Sequence, residues 1–77
     1  MAEEFIVADA HILDGKPCVR GTRLSVEFLL ELAASGATSE QILAQYPQLT
    51  PEGLSAAYRY AANALRGERT WDLQITA

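Results

Sequence analysis

Between residues 15 and 23 the chain reads Gly15-Lys16-Pro17-Cys18-Val19-Arg20-Gly21-Thr22-Arg23. Two glycines, a proline and three cations in nine residues describe a stiff basic turn, able to aim backbone N–H groups and guanidinium forks at an anion such as phosphate. It is not the phosphate loop of nucleotide hydrolases, because the Gly-Lys-Ser/Thr order and the helix that follows it are missing. A second reading stays open beside the first, in which Arg20 and Arg23 are internal clamps on Asp9, Asp14 or Glu27. Further along, Ser55, Ala56, Arg59, Tyr60 and Asn63 fall off an apolar stripe and are available for contact. Arg and Asn are the side chains that pair bidentately with guanine and adenine edges, so this group suits DNA readout.

Catalysis finds little material. His11 is the only imidazole and Cys18 the only thiol, whereas nucleophilic chemistry needs a nucleophile, a base and an orienting group together. Asp9-Ala10-His11-Ile12-Leu13 reads as a loop, so His11 is expected at the surface or as a satisfied core residue. Cys18 sits in an apolar strand-like stretch and is expected to be inert, although basic neighbours favour its thiolate. The pairs Glu3-Glu4 and Glu27 with Glu31 read as solvated faces. One Cys and one His make neither a structural zinc site nor an internal disulfide. The expectation is a protein that is not an enzyme, with no metal, no cofactor and no small-molecule substrate.

With 77 residues there is room for one domain, and a chain this short buries a smaller share of its surface than a larger one. Without disulfide or metal, self-association is the remaining staple, and a homodimer is expected. Six Lys and Arg against ten Asp and Glu give a net charge of −4, which argues against coating nucleic acid by bulk electrostatics. Distribution matters more, and Lys16, Arg20 and Arg23 share an eight-residue window without an acid. Met1-Ala2-Glu3-Glu4 is acidic where a signal peptide is basic, and no apolar run approaches the roughly 18 residues of a membrane span. A cytoplasmic protein with no membrane association is expected.

The elements that must position these residues follow from periodicity. Residues 5 to 24 predict two or three very short strands, with turns at Asp14-Gly15 and Gly21-Thr22. From Ser25, an N-cap, a first helix carries Val26, Leu29, Leu30 and Ala33 on one face, adds Phe28 and Leu32, and stops at Gly36. Apolar residues wrap most of its circumference, which puts it in the core or in a dimer interface. Thr38-Ser39-Glu40-Gln41 is a capping box for a short second helix with Ile42 and Leu43 buried, ended by Pro47. Thr50-Pro51 restarts a third helix to about Leu65 or Arg66, with Leu54, Ala57, Tyr58, Ala61 and Leu65 in one stripe. The predicted fold is mainly α, winged-helix-like: short N-terminal β-strands or turns, then a three-helix bundle containing a helix-turn-helix.

In that helix-turn-helix the third helix is the one that enters a major groove. Ala44 is expected at the close helix crossing, Leu49 as the buried turn residue, and Leu54 with Ala57 as anchors. Gln48 stands where such turns often carry Gly. A helical mini-core that never meets DNA fits the same pattern, since fold alone does not fix function. Residues 1–66 form the domain and residues 67–77 a tail, in which Trp71, Leu73 and Ile75 alternate with Asp72, Gln74 and Thr76. That period of two suits a short strand that binds a partner or pairs a dimer.

Gly15-Lys16-Pro17-Cys18-Val19-Arg20-Gly21-Thr22-Arg23-Leu24-Ser25-Val26, then Leu29-Leu30, Gly36-Ala37-Thr38-Ser39-Glu40-Gln41-Ile42 and Tyr46-Pro47-Gln48-Leu49-Thr50, closely resembles the bacterial family known as domain of unknown function 433. The resemblance covers about residues 5 to 66. Cys18 and Ser25 depart from it, standing where the family tends to have an aliphatic residue and a proline. The resemblance implies an antitoxin-like protein of helix-turn-helix type, encoded beside a PIN-like ribonuclease toxin, that neutralises the toxin and represses its own promoter. Together with the residues above it gives the leading expectation: a type II antitoxin that binds operator DNA as a homodimer. Lys16, Arg20, Arg23, Ser55, Arg59, Tyr60 and Asn63 are the expected DNA contacts, and Trp71, Leu73 and Ile75 the partner contacts. The alternative is a protein-interaction module that caps its partner without touching DNA.

Overall fold

A computed structural model describes residues 5–66. Two two-residue strands, β1 (Ile6–Val7) and β2 (Cys18–Val19), pair antiparallel with Ile6 opposite Val19 and Val7 opposite Cys18. Cys18 also bridges to Ser25, a remnant of a third strand. Three helices follow: α1 (Val26–Ala34), α2 (Ser39–Gln45) and α3 (Pro51–Ala64). The architecture is the one the periodicity predicts, mainly helical with a small N-terminal hairpin.

Each helix starts at a side-chain cap. The Ser25 hydroxyl accepts from the Phe28 N–H at 2.9 Å, and Thr50 Oγ1 accepts from the Gly53 N–H at 3.0 Å, with Pro51 in the first turn. At α2 the capping box is reciprocal: Gln41 N–H donates to Thr38 Oγ1 at 3.1 Å, and Thr38 N–H to Gln41 Oε1 at 2.8 Å. These bonds satisfy N–H groups that the first helical turn leaves without partners. Helix α1 ends in a Schellman motif, with Gly36 N–H on the Ala33 carbonyl and Ala37 N–H on the Leu32 carbonyl. Gly36 sits at φ 105°, which a Cβ would resist.

The core is built from Ile6, Val19, Leu24, Val26, Leu29, Ile42, Leu49, Leu54, Ala56 and Ala57. Helix α3 is its spine, packed against α1, α2 and both strands. Ala44, expected at the close crossing, is exposed. The small residue that permits close approach is Gly53, in the first turn of α3, where an added Cβ would lie 2.9 Å from Val19 Cγ1. The tight contact is therefore helix against hairpin, not helix against helix.

The apolar periodicity of α1 and α3 also overstates their burial. In α1 only Val26 and Leu29 are buried and Leu32 half-buried, while Phe28, Leu30 and Ala33 are exposed. In α3 Leu65, predicted as the end of the stripe, is 59% exposed. Ala56, predicted as available for contact, is buried. Position 56 belongs to the buried core, coverage that the helix's own sequence does not reveal.

Candidate functional site: the basic turn and the two faces of α3

The basic turn is built by local hydrogen bonds. Thr22 Oγ1 donates to the Val19 carbonyl at 2.8 Å and accepts from the Leu24 N–H at 3.0 Å. Gly21 holds φ 83° between them. Just upstream, Leu13, Asp14 and Gly15 form a 3-10 turn with all three residues at positive φ, a conformation that a side chain of leucine's size rarely adopts. The strand between these turns is tied to α1 by the Val26 N–H on the Pro17 carbonyl at 2.9 Å.

The cations of this turn divide into two kinds. Lys16 Nζ pairs with Glu27 Oε1 at 3.1 Å, with both side chains more than half exposed, and Arg20 is also engaged. Arg23 has no hydrogen-bond or ion-pair partner among the described residues. Lys16 thus clamps Glu27. Arg23 opens onto a cleft of about 520 Å³ lined also by Leu13, Asp14, Lys16, Leu24, Phe28 and Tyr46. Its floor is an aromatic pair, Phe28 and Tyr46 meeting edge to face with centroids 5.9 Å apart. A cleft with an aromatic floor and a free guanidinium can hold an apolar side chain beside a carboxylate.

Cys18 lies beneath the turn, 1% exposed, and its thiol donates to the Lys16 carbonyl at 3.2 Å. Burial pushes the Cys18 thiol above its ordinary value, and the Arg23 and Lys16 charges offset this only in part. A buried, protonated thiol is a poor nucleophile. His11 is exposed, in a loop where its backbone N–H donates to Asp9 Oδ1 at 2.8 Å. Among the described residues no cluster of His, Cys, Asp or Glu could hold a metal ion. No helix there is long and apolar enough to cross a membrane.

Helix α3 presents two different surfaces. At 3.6 residues per turn Ser55, Arg59 and Asn63 fall within about 80° of one another, and all three are exposed. Arg66 joins them, donating from Nη2 to Asn63 Oδ1 at 3.0 Å. Tyr60, grouped with them from the sequence, lies about 100° from Arg59 and lines a different feature. That feature is a groove of about 260 Å³ between α1 and α3, formed with Pro17, Val26, Leu30, Ala61, Ala64 and Leu65. The structure therefore brings Ser55, Arg59 and Asn63 together and separates Tyr60 from them. Lys16 sits at the mouth of that same groove, and no α3 residue lines the Arg23 cleft.

Sequence reasoning missed Phe28, Tyr46 and Leu13 as site residues. The exposure of Phe28 could not be read from a helix that looks apolar all round. Trp71, Leu73 and Ile75, assigned to partner binding, lie outside the described residues.

Comparison with known proteins supplies relatives. A family model described as a protein of unknown function, DUF433, matches residues 6–61. The chain is 41% identical over 69 residues to the uncharacterized protein y4eO of Sinorhizobium fredii, which covers 88% of this chain and 31% of that protein. It also resembles the crystal structure of a DUF433 member from Anabaena variabilis, with a TM-score of 0.76 and 34% identity, over 80% of this chain and 61% of that one. The chain thus spans less than a third of the curated relative and under two thirds of the solved chain.

Proposed function

This chain belongs to the DUF433 family, and we propose that it is the antitoxin of a type II toxin–antitoxin pair, acting as a homodimer that binds operator DNA and a PIN-like ribonuclease. The observation that carries this reading is the division of exposed residues into separate surfaces. An antitoxin that represses its promoter while holding its toxin needs two contact faces that do not compete. The polar face of α3, with Ser55, Arg59 and Asn63, is suited to DNA. The cleft of Phe28, Tyr46 and Arg23 is suited to a protein, and no α3 residue lines it.

Electrostatics support DNA contact only in a measured way. Between residues 5 and 66 six carboxylates face five Lys and Arg, so the acidic excess of the chain belongs largely to its flanks. A near-neutral fold binds DNA through a few placed cations and not by bulk attraction. One observation favours a second reading, in which the protein caps its partner and never meets DNA. Recognition helices contact bases with their N-terminal residues, and the first turn of α3 carries an exposed acid, Glu52.

The two readings separate in a salt titration of duplexes from the region upstream of the gene against scrambled duplexes, with and without the product of the adjacent reading frame. DNA readout through α3 predicts that Arg59→Ala loses about 1–3 kcal/mol on the native duplex only. Arg23→Ala is expected to leave DNA affinity unchanged and to weaken capture of the neighbouring protein. Failure of wild-type protein to bind either duplex at low salt, alone or with its neighbour, leaves only the capping module standing.

A further inference from the structure

We propose that the cleft beside Arg23 recognises a segment of a partner protein that presents one large apolar side chain with one carboxylate close beside it. This rests on the reading of that cleft as the partner face and gives its occupant a chemistry. Three independent observations meet there. Leu13 and Phe28, on different elements, are 39% and 38% exposed and both line the cleft, so large apolar surface is left uncovered on two of its walls. Leu13 and Asp14 stand at φ 50° and 59°, held by Gly15 N–H on the Ile12 carbonyl at 3.0 Å and Lys16 N–H on the Leu13 carbonyl at 3.1 Å. Side chains of leucine's size rarely take positive φ, and where such residues persist they cluster at ligand clamps. The third observation is charge. Lys16 is held by Glu27, whereas Arg23 has no hydrogen-bond or ion-pair partner among the described residues.

The occupant's chemistry follows from the lining. Leu13 and the edge-to-face pair of Phe28 and Tyr46 take an aliphatic or aromatic side chain by burial. The unpaired guanidinium of Arg23 takes a carboxylate through two parallel hydrogen bonds. Asp14 lies on the same lining, so a second acid is repelled and an acidic run is not the ligand. In an extended segment residues two apart point to the same side, and that spacing brings an apolar group and an acid into one cleft together. The walls decide between a protein and a small molecule. Small-molecule sites enclose most of their ligand, but Leu13, Asp14, Lys16, Arg23 and Phe28 are all exposed. An open cleft of this kind fits a side chain carried on a partner's surface, an anchor in a pocket with a charge at its rim.

The probe is an acetylated and amidated hexapeptide, Gly-Ser-Leu-Ser-Glu-Ser, whose only charge is its glutamate, titrated to millimolar concentration into the isotope-labelled full chain. The amide resonances of Leu13, Asp14, Arg23 and Phe28 should shift. The apparent affinity should fall several-fold when Gln replaces the Glu or Ala replaces the Leu, and a second Glu should not raise it. Arg23→Gln should remove the preference for Glu over Gln and keep the preference for Leu over Ala. Phe28→Ala should do the reverse, and Arg23→Gln decides alone if Phe28→Ala loses the dispersed spectrum of a folded chain. Shifts that are equal for all peptides, that miss the cleft, or that ignore Arg23→Gln would overturn the proposal. Capture of the adjacent gene's product without discrimination among the peptides also overturns it, and leaves the antitoxin reading standing. Discrimination among the peptides without such capture supports the cleft's chemistry and removes that reading instead.

Discussion

The two halves of α3 carry the same apolar period and meet different fates. In the first half Gly53, Leu54, Ala56 and Ala57 are buried, with Gly53 set close against Val19 of the hairpin. In the second half Tyr58, Ala61 and Leu65 continue the stripe, yet Tyr58 and Ala61 are only half-buried and Leu65 is exposed. Helical periodicity states which residues share a face. It does not state how far along the helix that face is covered, because coverage depends on other elements. The buried half serves stability and the open half is left for contact.

The sharpest way to break this comparison is to remove mass from the buried half. Leu54→Ala is expected to cost about 2–5 kcal/mol, against a total stability on the order of 5–10 kcal/mol for a chain of this length. Urea unfolding should show the midpoint collapse; a loss near that of a surface substitution would mean that this half is not the packed one. Adding mass at Gly53 comes next. Gly53→Ala gains helix propensity but drives a methyl against Val19, for a net loss of about 1–2 kcal/mol. Val19→Ala should relieve part of it, so the double variant is less destabilised than the sum of the singles, and strict additivity would deny the contact.

In the open half, Leu65→Ala should stay within about 1 kcal/mol by the same measurement. The smallest effect concerns Cys18. Its proton is held more tightly in the folded state than in the unfolded chain. The unfolded state thus loses its proton first, and stability contributed by this thiol is intact at neutral pH and declines as pH rises above about 8.5. Thermal melts of wild type and Cys18→Ala between neutral and alkaline pH should diverge in slope in that direction, and parallel slopes would remove Cys18 from the account.

What the sequence disclosed follows the same division. Helix starts were legible because Ser25, Thr38 with Gln41, and Thr50 with Pro51 act on their own backbone within three residues. The same holds for Gly36 and for the turns at Asp14-Gly15 and Gly21-Thr22. Contacts between elements were not legible. Ala44 and Gly53 are both small residues on helices, and only the position of Val19 decides which of them is crowded. Lys16 was read as an anion ligand among three equivalent cations, but its distance to Glu27 depends on how the turn is laid over α1. Ser55, Arg59 and Asn63 share a face because helical spacing alone groups them, whereas the lining of a groove by Tyr60 depends on tertiary packing.

The close approach of Gly53 to Val19 also constrains the order in which the chain can assemble. Two-residue strands are too short to persist alone, so the hairpin gains its stability only when α3 lies against it. The two contacting residues are 34 positions apart, and the length-dependent part of closing such a loop is about 3 kcal/mol. During synthesis the hairpin therefore emerges before α3 and waits. Docking of β2 becomes possible only after residue 53 has left the ribosome, which makes this small domain complete itself late and in a single step.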